Sequence, residues 1–408
     1  MTSFDSLWNS ILDVGQHHST RGYRRFAWGE ADLTLREWFR GEAQKRSMDV
    51  EEDRNGNLWA WWMPDGWVGD PTGAFVTGSH LDSVPDGGAF DGPLGVVSAF
   101  AAVDILRVKG IVPSIPVAVT AFSDEEGARF GVACVGSQLT TGALTAERAL
   151  GLRDADGITL AEAMTRAGRT TEHLGADENL VSRVGVYVEL HVEQGRALDL
   201  IDKPIAVASS IWPHGRWEFT FTGEANHAGA TRLVDRRDPM LAFASSVHAA
   251  RSAAASHEAV ATFGKIRVLP NGANAIPSEI KAWLDARAAD EETLTRLVTQ
   301  IESEARGHSD LDGIGLAVFA ESITPIVEFP SEPREKLRRA LTHLGDVPVL
   351  PTAAGHDAGI LSAKVPTAML FVRNPTGVSH SPDEFAEPMD CNIGAQALAD
   401  VMTDWVTA

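Results

Sequence analysis

Residues 115–131 read IPVAVTAFSDEEGARFG, an apolar run that passes without a break into the acids Asp124, Glu125 and Glu126. A continuous apolar run rich in β-branched residues predicts a strand buried on both faces, as in a parallel sheet. In open α/β sheets, ligands bind outside the carboxyl ends of the strands. Three neighbouring acids there are costly to gather unless cations hold them or one keeps its proton. A solvated acidic loop is the ordinary alternative.

The same pattern recurs on either side. GAFVTGSHLD (73–82) is a predicted strand that ends on His80 and Asp82, and YVELHVEQG (187–195) is another that carries His191. ADLTLREWFRGEAQKRS (31–47) has helical spacing, and GPLGVVSAFAAVDILRVKG (92–110) reads as a buried helix closed by Gly110. Strands alternating with helices predict an α/β layered domain with a mainly parallel sheet. From Trp212 the pattern changes. GRWEFTFTG alternates like a half-exposed strand; helix 238–256, strands 259–269 and 279–288, helix 290–307 and strand 313–320 follow. That order, β-α-β-β-α-β, is ferredoxin-like. ESITPIVEFP (321–330) reads as the return linker, followed by a helix over 330–344 and the core strand PTAMLFVRN. The expectation is a three-layer α/β domain split over 1–210 and 327–408, with an α+β domain of 211–326 inserted.

Composition narrows the function class. The chain has 408 residues, 44% of them hydrophobic, and a net charge of −21. That charge argues against a nucleic-acid partner. No apolar run approaches the ~20 residues of a membrane span. The N-terminal stretch lacks a signal peptide's basic start and apolar segment. Two cysteines, Cys134 and Cys391, fit a reducing compartment better than a disulfide scaffold. A cytoplasmic protein is expected.

GSHLDSVPDGGAFDG (78–92) gathers His80, Asp82, Asp86 and Asp91. Residues i and i+2 of a strand share a face, so Asp82 can hold the imidazole of His80, as a metal-bound histidine requires. A solvated aspartate-rich turn explains the stretch equally well. An EF-hand does not, because its closing glutamate is missing. GVSHSPDEF supplies His380 near the C-terminus. Each of these histidines alone reads as structural. Three histidines with several carboxylates, all at strand ends, suit zinc, manganese or cobalt, and two ions sharing one carboxylate would use five ligands.

The chain resembles the co-catalytic metallopeptidase and amidohydrolase superfamily that includes aminoacylase and glutamate carboxypeptidase. It is most similar to the branch of allantoate amidohydrolases, N-carbamoyl-L-amino-acid hydrolases and β-ureidopropionases. The motifs carrying the resemblance are GSHLDSVPDGGAFDGPLGV, FSDEEGARFG, ELHVEQG, GEANHAGAT, PNGANAIPSE, LDAR, AGHDAG and GVSHSPDEF, in order along nearly the whole chain. The resemblance implies two divalent ions per subunit, zinc or manganese, with cobalt or nickel also suited. His80 and His191 would bind opposite ions, Asp91 would bridge them, and Glu126 and His380 would complete the ligands of the second ion. Asp82 would orient His80. Glu125 would be the general base for the metal-bridging water. His227 would stabilise the oxyanion, Arg216 and Arg287 would bind a substrate carboxylate, and Asn274 and Gln194 would make polar substrate contacts. The inserted domain would act as lid and dimerisation domain, with His227 and Asn274 reaching across a homodimer. The Asp91–Gly92 peptide would be cis.

The reaction implied is hydrolysis of a ureido C–N bond in a small acid, releasing ammonia and carbon dioxide. Allantoate, a purine-derived nitrogen compound, is the first substrate expected. N-carbamoyl-L-amino acids come second and N-carbamoyl-β-alanine third. His191 stands where peptidase relatives often carry an acid, which argues against a dipeptidase. A catalytically silent ligand-binding homologue would have lost Glu125 or a ligand, and all are present. Two departures touch the substrate side: Arg232 where relatives often have proline, and His214-Gly215 where they commonly show Gln-Arg.

Overall fold

A computed structural model describes residues 3–407. The chain divides into two compact units, residues up to Ser209 together with Phe329 onward, and Ser210–Glu328. In chain order it lays down β1 (Asp49–Glu52), β2 (Leu58–Trp62), β3 (Ala74–His80), β4 (Val117–Phe122), β5 (Val184–Val192) and β6 (Ile205–Ile211). Next come β7 (His214–Thr222), β8 (Asn226–His227), β9 (Val260–Leu269), β10 (Ala275–Ile276), β11 (Glu279–Arg287) and β12 (Gly315–Thr324). Last are β13 (Val327–Glu328), β14 (Val349–Thr352) and β15 (Thr367–Val372).

The large sheet has the order β1-β2-β4-β3-β5-β15-β6-β13, with β14 also on β6. Its centre is parallel: β3 pairs with β4 and β5, and β15 with β5. Antiparallel strands flank this centre. Every residue of β3, β4 and β15 is buried, which is why these strands read as unbroken apolar runs. On one face, alternate side chains such as Val119, Val188 and Leu370 join a core with helices Glu30–Lys45, Pro93–Val108 and Pro388–Val406. The other face carries the edge-on aromatic contacts of Trp59, Phe122 and Tyr187. Helix Pro93–Val108 is apolar nearly all round and almost wholly buried, with Pro93 at its first turn.

The register gathers strand ends. His80, last in β3, lies opposite Phe122, last in β4, and His191 on β5 lies opposite Phe371 on β15. The loops leaving these four strands therefore emerge at one edge of the sheet.

The second unit has the ferredoxin-like order, with its four long strands arranged β12-β7-β11-β9, all antiparallel. β11 alternates strictly between half-buried and buried residues. Its buried set, Ile280 to Ala286, packs with Phe219 and Phe221 of β7 and with helices Pro239–Ser256 and Glu291–Leu311. The Asp290 carboxylate caps the second helix by accepting the Thr293 N–H at 2.8 Å. One expectation is corrected here. Glu321–Thr324 is not linker but the end of β12, kept in the sheet by a register shift between Ala320 and Ser322. The bulge hides the alternation that a sequence reading follows.

Candidate metal centre

The ends of the parallel strands bring five predicted ligands together in the first unit. His80 Nε2 and His191 Nε2 face Oδ1 of Asp91 at 3.6 and 3.1 Å. His380 Nε2 lies 3.3 Å from Asp91 Oδ2 and 3.5 Å from Glu126 Oε2. Two ligand groups result, His80–Asp91–His191 and Asp91–Glu126–His380, each with its atoms within 4.8 Å of one another. Asp91 belongs to both. This corrects the expectation that His80 and His191 serve opposite ions. Both project from ends of paired parallel strands toward the same carboxylate oxygen, and the second group comes from loops.

The donor set fits divalent cations. His80 Nε2, His191 Nε2 and Glu126 Oε1 are buried without a hydrogen-bond partner, an arrangement that costs free energy unless something else satisfies them. The other ring nitrogens are held by backbone carbonyls: His80 Nδ1 by Asp82 at 3.2 Å and His191 Nδ1 by Val192 at 2.9 Å. Such contacts fix the tautomer and aim Nε2 inward.

Asp82 has a second task. Its two oxygens accept the backbone N–H groups of Glu125 and Glu126 at 3.2 and 3.1 Å. Its Oδ1 lies 3.5 Å from His80 Nδ1. One carboxylate thus ties the β3 end to the acidic loop after β4. Gly92 is equally constrained: at φ +85° it makes the turn after Asp91, and a Cβ there would lie 2.3–2.5 Å from the His80 ring. The Asp91–Gly92 peptide itself is trans, since the only cis bond among the described residues is Leu269–Pro270.

Charges in the cluster shift one another. Burial works against the Asp91 charge, yet the imidazoles of His191, His380 and His80 hold its carboxyl well below the usual range. Facing Asp91 raises His380 to about 9. Burial, and then the Asp91 charge, push Glu126 up to about 7. Burial pushes Glu125 well above the carboxylate range, opposed mainly by His80, whose Nε2 lies 3.6 Å from Glu125 Oε2.

Gln194 is bound into this centre. Its Nε2 donates to Asp91 Oδ2 at 2.7 Å and to Ser379 Oγ at 3.2 Å. Three further residues had no predicted role. Glu384 Oε1 accepts the N–H groups of Phe90 and Asp91 at 2.9 and 3.0 Å. Glu189 is joined to Ser79 Oγ at 2.6 Å and to the Ala358 N–H at 2.9 Å. The His356 ring packs edge-on against His191 at 4.5 Å. All three lie inside the motifs ELHVEQG, AGHDAG and GVSHSPDEF, but only a contact made across the chain gives them a part.

The other four predicted residues lie in the second unit, in two places. Pairing of β8 with β10 sets His227 opposite Ala275, beside Asn274, whose carbonyl accepts the Ala228 N–H at 3.0 Å. His227 Nδ1 accepts the N–H groups of Gly229 and Ala230 at 3.0 and 3.1 Å. Nε2 then carries the proton, and the ring is a donor. Arg216 and Arg287 converge on Asp285, which Arg287 holds through two contacts of 2.8 and 3.1 Å and Arg216 approaches at 3.6 Å. His214 lies opposite Arg287 in the sheet register, and burial lowers its pKa. Arg232 is exposed and paired with Asp235 at 2.6 Å.

Comparison with known proteins agrees with this geometry. Residues 76–404 match the family model described as peptidase family M20/M25/M40. An N-carbamoyl-L-amino acid amidohydrolase of Geobacillus stearothermophilus is 35% identical, over 98% of this chain and 97% of that protein. An allantoate amidohydrolase of Escherichia coli is 29% identical, over 93% and 92%. The solved structure of a hydantoinase/carbamoylase-family amidase from Burkholderia vietnamiensis superposes with a TM-score of 0.87 at 29% identity, covering 100% of this chain and 98% of that one. With its ligand groups at the carboxyl edge of a mainly parallel sheet, the chain belongs to peptidase family M20/M25/M40.

Proposed function

We propose that this protein is a metal-dependent amidohydrolase that cleaves the ureido C–N bond of a small carboxylate-bearing substrate. The observation that carries the reading is the division of Asp91, with Oδ1 facing His80 and His191 and Oδ2 facing His380. That division suits two divalent ions, Zn²⁺ or Mn²⁺, with Co²⁺ or Ni²⁺ also compatible. Such ions would polarise the ureido carbonyl and make water more acidic.

The chain's own groups do the rest. Glu125 takes the proton of the attacking water and delivers it to the leaving nitrogen. Asp82 orients His80 and the Glu125 backbone. His227, with its donor nitrogen, stabilises the oxyanion. Arg216 and Arg287 offer guanidinium groups to the substrate carboxylate, and Asn274 adds a polar contact. Gln194, whose amide donates to Asp91 Oδ2 at 2.7 Å, adds a second polar contact to the substrate from beside that carboxylate. The inserted unit is assigned the lid and dimer-contact roles, with His227 and Asn274 serving a partner subunit. A cytoplasmic location fits the two free, buried cysteines, and no helix among the described residues is long and apolar enough to cross a membrane.

Allantoate is the first substrate of the reading, on the resemblance of FVRNPTGVSHSP to bacterial allantoate amidohydrolases. N-carbamoyl-L-amino acids are the second, favoured by the 35% identity to an enzyme named for them. The test is ammonia release from Mn²⁺- or Zn²⁺-loaded protein. Allantoate, N-carbamoyl-L-amino acids and N-carbamoyl-β-alanine run side by side, with a dipeptide followed by release of its free amino acids and Glu125→Gln as control. Release from a ureido acid, lost in the control, is expected. Turnover of the dipeptide alone, or of nothing with metal bound, overturns the reading.

A further inference from the structure

Cys134 lies beside the general base in an arrangement that no assigned role explains. Its N–H, with those of Val135 and Gly136, donates in succession to the carbonyls of Glu125, Asp124 and Ser123 at 2.6, 3.0 and 2.9 Å. This short zipper fastens the acidic loop to the start of helix Val135–Thr141. It depends on Gly136, where a Cβ would lie 2.0 Å from Asn57 Oδ1 and 2.8 Å from the Ser123 backbone. Cys134 itself sits in the left-handed region at φ +53°, uncommon for a residue with a side chain. Its Sγ lies 3.2 Å from Glu125 Oε1.

We propose that Cys134 is a positioning residue for Glu125, its S–H donating to Oε1 and fixing the carboxylate plane so that Oε2 is turned toward the metal centre. Among the described residues, this thiol is the one side-chain hydrogen-bond donor to that carboxylate. The free oxygen, Oε2, is the one that faces His80 at 3.6 Å. Both residues are buried, Cys134 at 5% and Glu125 at 7% exposure, so water competes little for the contact. Burial and the Glu125 charge push the thiol well above its usual range, which keeps it protonated and able to donate. A base must be held within reach of the proton it takes, and an unheld buried carboxylate would swing between rotamers.

The inference rests on Glu125 being the base, and the experiment separates the two claims. The chain has two cysteines, so Cys391→Ser leaves Cys134 as its only thiol. In that background the S–H stretching band, read by infrared spectroscopy without substrate, should lie low and move to higher frequency in Glu125→Ala. On the turned-over ureido acid, Cys134→Ala should lower kcat about fivefold, with KM within about twofold and bound metal unchanged. Cys134→Ser should restore most of the rate. A band indifferent to Glu125→Ala, or wild-type kcat in Cys134→Ala, overturns the inference. If Cys134→Ala does not fold, the band together with the rate of Cys134→Ser decides. If no ureido acid is turned over, the base reading falls and the positioning role with it. The band then still reports whether the contact exists.

Discussion

Glu384 accepts the backbone N–H of Asp91 at 3.0 Å, although 293 positions separate the two residues. Its other oxygen, Oε2, takes the Ser379 hydroxyl at 3.1 Å, next to His380. One buried carboxylate thus fixes both the shared ligand and the loop that carries the last histidine. Glu384→Ala should weaken metal affinity roughly 10–100-fold with the fold intact. Glu384→Gln, which keeps an acceptor, should cost less. Titration of metal-free protein with Mn²⁺ or Zn²⁺ checks both.

Glu125→Gln should retain its metal and lose about 10²–10⁴ in kcat, because the amide cannot take a proton. Metal content measured beside turnover separates this from a ligand defect. A variant that lost metal in proportion to activity would make Glu125 a ligand.

His227 has its Nδ1 committed as an acceptor to two backbone N–H groups, which leaves Nε2–H as a donor. His227→Ala should lower kcat about 10²–10³-fold if that donor meets the oxyanion. Unchanged turnover by well-folded protein would remove it from the mechanism.

Metal loading should release protons. Without metal, His380 is raised to about 9 and is protonated at pH 7, and Glu126, raised to about 7, is protonated in part. Ligation requires neutral imidazole and ionised carboxylate, so binding expels at least one proton near pH 7 and weakens as pH falls. Calorimetry in buffers of different ionisation enthalpy measures the number. Zero release would mean that these two groups are not ligands.

Gly136→Ala should destabilise the fold by more than the ~1–3 kcal/mol typical of overpacking, because its clash is partly with the Ser123 backbone, which cannot rotate away. Denaturant unfolding of the variant measures it. A near-neutral result would mean that the loop of residues 123–125 is not fixed by the zipper.

The sequence by itself determined the central parallel strands and the order of the long elements of the inserted unit. Unbroken apolar runs marked the parallel strands, and alternation marked the inserted antiparallel sheet, because burial on two faces or one imposes those patterns directly. It also placed His80, Glu125, Glu126 and His191 at strand ends, where a parallel sheet presents its ligands. Only the tertiary structure decided which oxygen of Asp91 each histidine faces, that Asp82 carries the acidic loop as well as His80, and that Gln194 is bound to Asp91. It also gave Glu384, Glu189 and Cys134 their places. The physical reason is range. Strand and helix patterns arise from neighbours a few residues apart, whereas a buried hydrogen bond joins whatever two groups the packing brings within about 3 Å. Nothing local in SPDEF or ACVG records a partner hundreds of residues away or across a left-handed turn.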